Sequence, residues 1–209
     1  MKTANHTALA TGFLPVMEQF YTIQGEGYHQ GKAAYFIRLG GCDVGCVWCD
    51  VKESWDAAAH PHIQIEDIVK VAQATPARLA VITGGEPTLY DLNELTTQLK
   101  AAGFQTNIET SGAHELTGHF DWVCLSPKKF KPPVERVLKQ ADELKIIVFN
   151  KSDFKWAESF AAKVRKDCML FLQPEWSKAE KMTPLIVDYI KANPQWQLSL
   201  QIHKYIHVP

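Results

Sequence analysis

Residues 40–50 read GGCDVGCVWCD and hold three of the chain's five cysteines. Thiolate sulfur is the ligand of zinc and of iron–sulfur clusters, and the close spacing of Cys42, Cys46 and Cys49 lets one loop wrap a metal. Three crowded thiols without a metal would be an oxidation liability. Two metal readings stand. Zinc would take His60 or His62 as a fourth ligand. A four-iron cluster would have three irons held by the cysteines and one open to a substrate or cofactor. The spacing lacks the second knuckle usual for zinc, and the histidines come later, in an Ala/Pro stretch. That favours the open cluster. Trp48 is placed to cover it and limit solvent access, or else to anchor the core.

The loop follows AAYFIRL (33–39), a run of strand character. Further strands are expected at RLAVIT (78–83), FQTNIET (104–110), WVCLS (122–126), LKIIVF (144–149), CMLFLQ (168–173) and WQLSLQIH (196–203). Most are near-continuous apolar runs, as in strands covered on both faces of a parallel sheet. Between them lie amphipathic helical stretches: IEDIVKVAQA, DLNELTTQLKAAG, SDFKWAESFAAKVRK and TPLIVDYIKAN. Ser152 and Thr183 suit N-caps, Pro184 a first helical turn, and Gly103 a helix end. This β–α alternation predicts an α/β fold with right-handed crossovers. The segments after the third and fourth of these strands are short for full helices, so the expected architecture is a partial, open (β/α)6-type barrel. It forms a single domain over 1–209, with 1–17 as an N-terminal extension.

In such folds the loops at the C-terminal strand ends build the site. The strands here run into GGCDVGCVWC, TGGEP, ETSG, SPK and QPE, so every motif with polar or metal-binding chemistry falls on one rim. The formal charge of −1 gives no push toward nucleic acid or an acidic membrane, and no apolar run reaches membrane-spanning length. Five cysteines, three of them crowded, do not form a disulfide framework, and a cytoplasmic location is expected. Cys124 and Cys168 sit inside apolar runs and are expected to be small buried hydrophobes. Lys129 and Lys131 read as a solvated loop.

CDVGCVWC resembles the cysteine motif of the radical S-adenosylmethionine enzymes, and TGGEP (83–87) resembles their glycine-rich segment. With IQGEG (23–27), FIRLGGC (36–42), ITGGEPTLY (82–90), IETSG (108–112), SPK (126–128) and HKY (203–205), nearly the whole chain after residue 17 is similar to the 7-carboxy-7-deazaguanine synthase family. That resemblance implies a 4Fe-4S cluster on Cys42, Cys46 and Cys49, and S-adenosylmethionine bound at Gly85, Glu86, Ser126, Pro127, Lys128 and Gln173. Glu109 would meet the ribose, or serve only as a cap or ion pair. The implied reaction is radical ring contraction of 6-carboxy-5,6,7,8-tetrahydropterin with loss of ammonia, in queuosine or related deazapurine biosynthesis. The implied substrate residues are Ile23, Gln24, Gly25, Glu26, Arg38, Thr83, His203 and Pro209, with Arg38 as the carboxylate clamp. A homodimer and a flavodoxin-like or other reductant are also implied. Two other readings share the cysteines: a small activase that places a glycyl radical on a protein, and a zinc-stabilised binding module without catalysis.

One position departs from the family. Its members commonly read Cys-Asp-Thr after the third cysteine, where the threonine hydroxyl helps to hold Mg²⁺. Here the residues are Cys49, Asp50 and Val51. Mg²⁺ demands oxygen ligands and valine has none. The expectation is a weak Mg²⁺ requirement, with Asp50 holding the ion loosely or the Lys52 ammonium supplying its charge.

Overall fold

The computed structural model describes residues 11–209. Among the described residues, nine strands form one open sheet in the order β3-β1-β2-β4-β5-β6-β7-β8-β9. From β2 (Ala33–Leu39) every neighbour is parallel: β4 (Leu79–Gly84), β5 (Gln105–Thr110), β6 (Trp122–Leu125), β7 (Glu143–Val148), β8 (Met169–Pro174) and β9 (Trp196–Leu198). Each crossover adds the next strand on the same side. The two ends of the sheet do not pair, so the barrel is partial, as expected.

Strand alternation sorts the side chains onto two faces. Tyr35, Ile37 and Leu39 of β2, Ile82 of β4 and Ile108 of β5 join α1 (Ile65–Gln73) and α2 (Asn93–Ala101) in one core. Leu144, Ile146 and Val148 of β7 and Leu172 of β8 pack with α3 (Glu135–Gln140), α4 (Ser152–Ala161) and α5 (Ala179–Ala192) in a second. The helix α1 shows why: Ile65, Ile68, Val69 and Ala72 share one stripe and are all buried. Each fully buried Ile or Leu contributes about 1.5–3 kcal/mol. The other sheet face carries Arg38, Thr83, Glu109, Lys145 and Gln173, which all line one cavity.

Several expectations are corrected. Residues 13–17 are not an extension: β1 (Phe13–Ile23) pairs antiparallel with β2 and with β3 (His62–Gln64). Its mixed polar pattern and Pro15 suit a strand near the sheet edge and hide it among the apolar runs. Residues 1–10 lie outside the described residues. WQLSLQIH is a strand only to Leu198, and Ile202–Ile206 forms a short helix, α6. Helix α5 starts at Ala179, so Thr183 and Pro184 are inside it; the Thr183 hydroxyl donates to the Ala179 carbonyl at 2.7 Å. Ser152 is the first residue of α4 rather than its cap, and its hydroxyl turns back to Asn150 at 2.6 Å. Gly103 ends α2 with φ +85°, as expected.

Candidate active site

A cavity of about 400 Å³ opens at the C-terminal ends of the parallel strands, a usual size for a small-molecule site. Cys42, Cys46 and Cys49 all line it. They gather with Val44 and Ala113 in a small apolar cluster on its wall. Burial pushes the Cys46 thiol up to about 11 and raises Cys42 as well. Among the described residues no three His, Cys, Asp or Glu side chains stand together as a preformed metal centre. The donor set itself suits a cubane held by three thiolates: three sulfurs of one loop facing one cavity. Zinc loses its fourth ligand. The His60 ring hydrogen-bonds the Glu53 carbonyl at 2.8 Å, and His62 is exposed on β3; neither lines the cavity.

The glycine-rich loop is locked to the cysteine loop. A Cβ on Gly85 would sit 2.2 Å from the Gly41 carbonyl oxygen, and one on Gly84 would sit 2.1 Å from that of Leu39. The Gly85 and Glu86 N–H groups donate to Leu39 and Gly41 at 3.0 and 2.9 Å. These glycines therefore permit the approach of two loops, besides any ligand. The Glu86 role shifts too. Its buried carboxylate accepts from Thr88 N–H at 3.1 Å, Thr88 Oγ1 at 2.7 Å and Thr110 Oγ1 at 2.6 Å. It also accepts from Ser111 N–H at 2.8 Å and from the Ser111 hydroxyl. So Glu86, though it borders the cavity, is engaged in tying TGGEP to ETSG.

The loop after β1 borders the cavity beside these motifs. Ile23, Gln24, Gly25 and Glu26 all line it. Gln24 Nε2 donates to Glu109 at 2.9 Å. Lys145 Nζ bridges Glu26 and Glu109 at 2.5 and 2.9 Å. Burial opposes the Glu26 charge, but the Lys145 ammonium, its hydrogen bond and that of Gln201 outweigh this and hold the carboxyl at about 2. Glu109 thus serves as an ion-pair and hydrogen-bond partner. His203 packs on Gly25 so closely that a Cβ there would meet Nδ1 at 2.2 Å, and burial lowers the His203 pKa. The Gly25 carbonyl accepts from the Ile202 N–H at 3.0 Å, so α6 holds this loop. Pro209 reaches the same cavity.

Arg38 and Thr83 are registered side by side on β2 and β4. Across the β1–β2 ladder, Glu18 accepts from Arg38 Nε at 2.6 Å. Arg38 is therefore at once a cavity residue and an ion-pair partner. On the opposite wall, Lys128 Nζ donates to Ser126 Oγ at 2.6 Å and lies over the Trp48 ring at 5.6 Å. Gln173 accepts from Ser199 Oγ at 2.7 Å. Pro127 does not line the cavity; its buried ring shapes the turn between Ser126 and Lys128. Cys124 and Cys168 are buried, as expected.

The residues present do not fit Mg²⁺. Asp50 and Val51 line the cavity, but the Asp50 carboxylate is already held by Lys204 at 2.8 Å, and Val51 brings no oxygen. Lys52 lies over the Trp55 ring at 6.0 Å and is not among the cavity residues. The cation near Asp50 is Lys204.

A profile of the Radical SAM superfamily matches residues 36–145. The 7-carboxy-7-deazaguanine synthase of Flavobacterium psychrophilum is 60% identical, over 94% of this chain and 93% of that one. The synthase of Synechocystis is 46% identical, over 96% of each chain. The chain belongs to the 7-carboxy-7-deazaguanine synthase family. The crystal structure of QueE from Escherichia coli superposes with a TM-score of 0.81 at 35% identity, covering 90% of this chain and 93% of that one. The radical S-adenosylmethionine fold and its open parallel sheet follow.

Membership implies a 4Fe-4S cluster and S-adenosylmethionine, and the cavity wall with three cysteines agrees. Sequence reasoning missed Lys145 and Gln201, and it placed the extra cation at Lys52 instead of Lys204. The signal for Lys145 was present. Glu143, Lys145 and Ile147 alternate with the buried Leu144, Ile146 and Val148, but LKIIVF reads as one apolar run. Gln201 lay in a segment expected to be a strand, and Lys204 in the HKY motif, with no role assigned to it.

Proposed function

We propose that this protein is a carbon–nitrogen lyase that converts 6-carboxy-5,6,7,8-tetrahydropterin to 7-carboxy-7-deazaguanine. Substrate and product differ by one ammonia, so the overall reaction needs no net oxidant, and the cofactor is regenerated. The carrying observation is that the three thiols and the Arg38–Thr83 pair line one cavity. Bound to the three cysteines, the cluster with S-adenosylmethionine supplies the radical chemistry.

The chain's own residues bind and orient. Arg38 offers its remaining guanidinium N–H groups to the substrate carboxylate, while Glu18 fixes the Nε edge. Gln24, Glu26 and the backbone of Gly25 face the N–H-rich ring. Ser126, Lys128 and Gln173 line the opposite wall, where the cofactor would lie. Trp48 and the His203–Pro209 segment limit water entry. A homodimer, a cytoplasmic location, a flavodoxin-like or other reductant and a place in queuosine synthesis belong to this reading through the family.

Anaerobically reconstituted protein should form the deazapurine from the tetrahydropterin, reductant and S-adenosylmethionine, as detected by mass spectrometry. Product formation without S-adenosylmethionine would refute the mechanism.

A further inference from the structure

We propose that Lys145 is a positioning residue, which locks Gln24, Glu26 and Glu109 into one closed hydrogen-bonded ring and so fixes the substrate-side loop against the end of β5. The inference rests on the reading of this cavity as the substrate site.

The ring closes through four contacts. Lys145 Nζ donates to Glu26 Oε2 at 2.5 Å and to Glu109 Oε2 at 2.9 Å. Glu109 Oε1 accepts from Gln24 Nε2 at 2.9 Å, and Gln24 Oε1 accepts from the Glu26 N–H at 3.1 Å. Three distant segments meet here: the loop after β1, the end of β5 and the middle of β7. The Lys145 side chain is only 3% exposed. A buried ammonium costs desolvation energy, and a methionine of similar length would fill the space without that cost. Here the charge faces two carboxylates and holds them in one arrangement.

Two carboxylates against one ammonium leave one negative charge in excess on the cavity side. That excess suits a ligand rich in N–H donors. Glu26 Oε1 also accepts from Gln201 Nε2 at 2.8 Å, which carries the order on to the α6 segment. The acidic groups facing Lys145 are Glu143 on its own strand, Cys124 on β6, Glu109 on β5 and Glu26 from the loop. Lys128, just after the neighbouring β6, also faces it, and His203 and Asp50 face the Glu26 side. Glu143 accepts from the Tyr28 N–H and from Trp122 Nε1, so the two carboxylates that Lys145 bridges are Glu26 and Glu109.

Removing the ammonium leaves neighbouring carboxylates with no cation between them. Like charges then raise the affinity of one of them for a proton. At low pH that proton replaces the ammonium and restores the ring in part. Kinetics of wild type, Lys145→Met and Lys145→Arg at pH 6 to 8 test this, with thermal melts to establish folding. Lys145→Met should raise the pterin KM about 100-fold, with a smaller effect on kcat. This defect should shrink toward pH 6, and Lys145→Arg should stay within about 10-fold of wild type because it keeps a charged donor. An unchanged KM in Lys145→Met, or a defect equal at every pH that Arg does not relieve, overturns the proposal. If Lys145→Met does not fold, Lys145→Gln, which also removes the charge, takes its place: a pterin KM raised more at pH 8 than at pH 6 supports the ring, and an unchanged KM overturns it. A wild type with no turnover instead refutes the substrate reading.

Discussion

The Glu86 carboxylate accepts the backbone N–H of Ser111 at 2.8 Å, across twenty-five residues of sequence. With Thr88 and Thr110 on its other oxygen, it binds the glycine-rich loop to the end of β5. Glu86→Ala leaves several buried donors without an acceptor and should cost about 3 kcal/mol or more. The melting temperature should fall by roughly 6–12 °C. A calorimetric melt within a degree or two of wild type would return Glu86 to a purely ligand-binding role.

Arg38→Lys keeps the charge but loses the planar fork. Substrate binding should weaken by roughly 1.5–3 kcal/mol, the scale of charge-assisted hydrogen bonds. Steady-state KM and kcat for the tetrahydropterin measure this. Unchanged kinetics would leave Arg38 as the partner of Glu18 and nothing more.

His29 is buried between Tyr28, Trp122 and Lys32, and burial with the Lys32 charge brings its pKa from 6.5 to about 4. The unfolded chain binds a proton below about 6.5 that the folded chain refuses until about 4. Stability should therefore fall as pH drops through that window. His29→Leu should flatten this limb in urea melts at pH 7 and 5. A slope equal to that of wild type would assign the acid sensitivity elsewhere.

Much of the fold was legible because buried parallel strands leave continuous apolar runs, such as RLAVIT and CMLFLQ. The rim of motifs followed from chain order. What stayed hidden were the antiparallel β1, whose polar residues and Pro15 break the apolar pattern, and the Lys145 ring. The alternation of Lys145 with Leu144 and Ile146 marks the face it lies on but does not name its partners. Its partners Glu26 and Glu109 lie 119 and 36 residues away, and only the fold brings them together. Pro127 shows the converse: it falls within a motif, yet it is buried and does not line the cavity.

Val51 and the Asp50–Lys204 pair predict turnover that changes little when free Mg²⁺ is chelated. Val51→Thr should introduce a saturable Mg²⁺ stimulation. A steep Mg²⁺ requirement in the wild type would show that other oxygens hold the ion.

Cys46→Ala should lose most of the cluster iron that the wild type binds, about four irons and four sulfides per chain, whereas Cys124→Ala should retain it. Full iron in Cys46→Ala would remove Cys46 from the ligand set.

The most direct measurement is the stoichiometry of one anaerobic reaction of the reconstituted protein with 6-carboxy-5,6,7,8-tetrahydropterin, reductant and substoichiometric S-adenosylmethionine. The account predicts many turnovers per S-adenosylmethionine, with one ammonia released for each 7-carboxy-7-deazaguanine formed and the cofactor recovered intact. Consumption of S-adenosylmethionine with no deazapurine formed would contradict it.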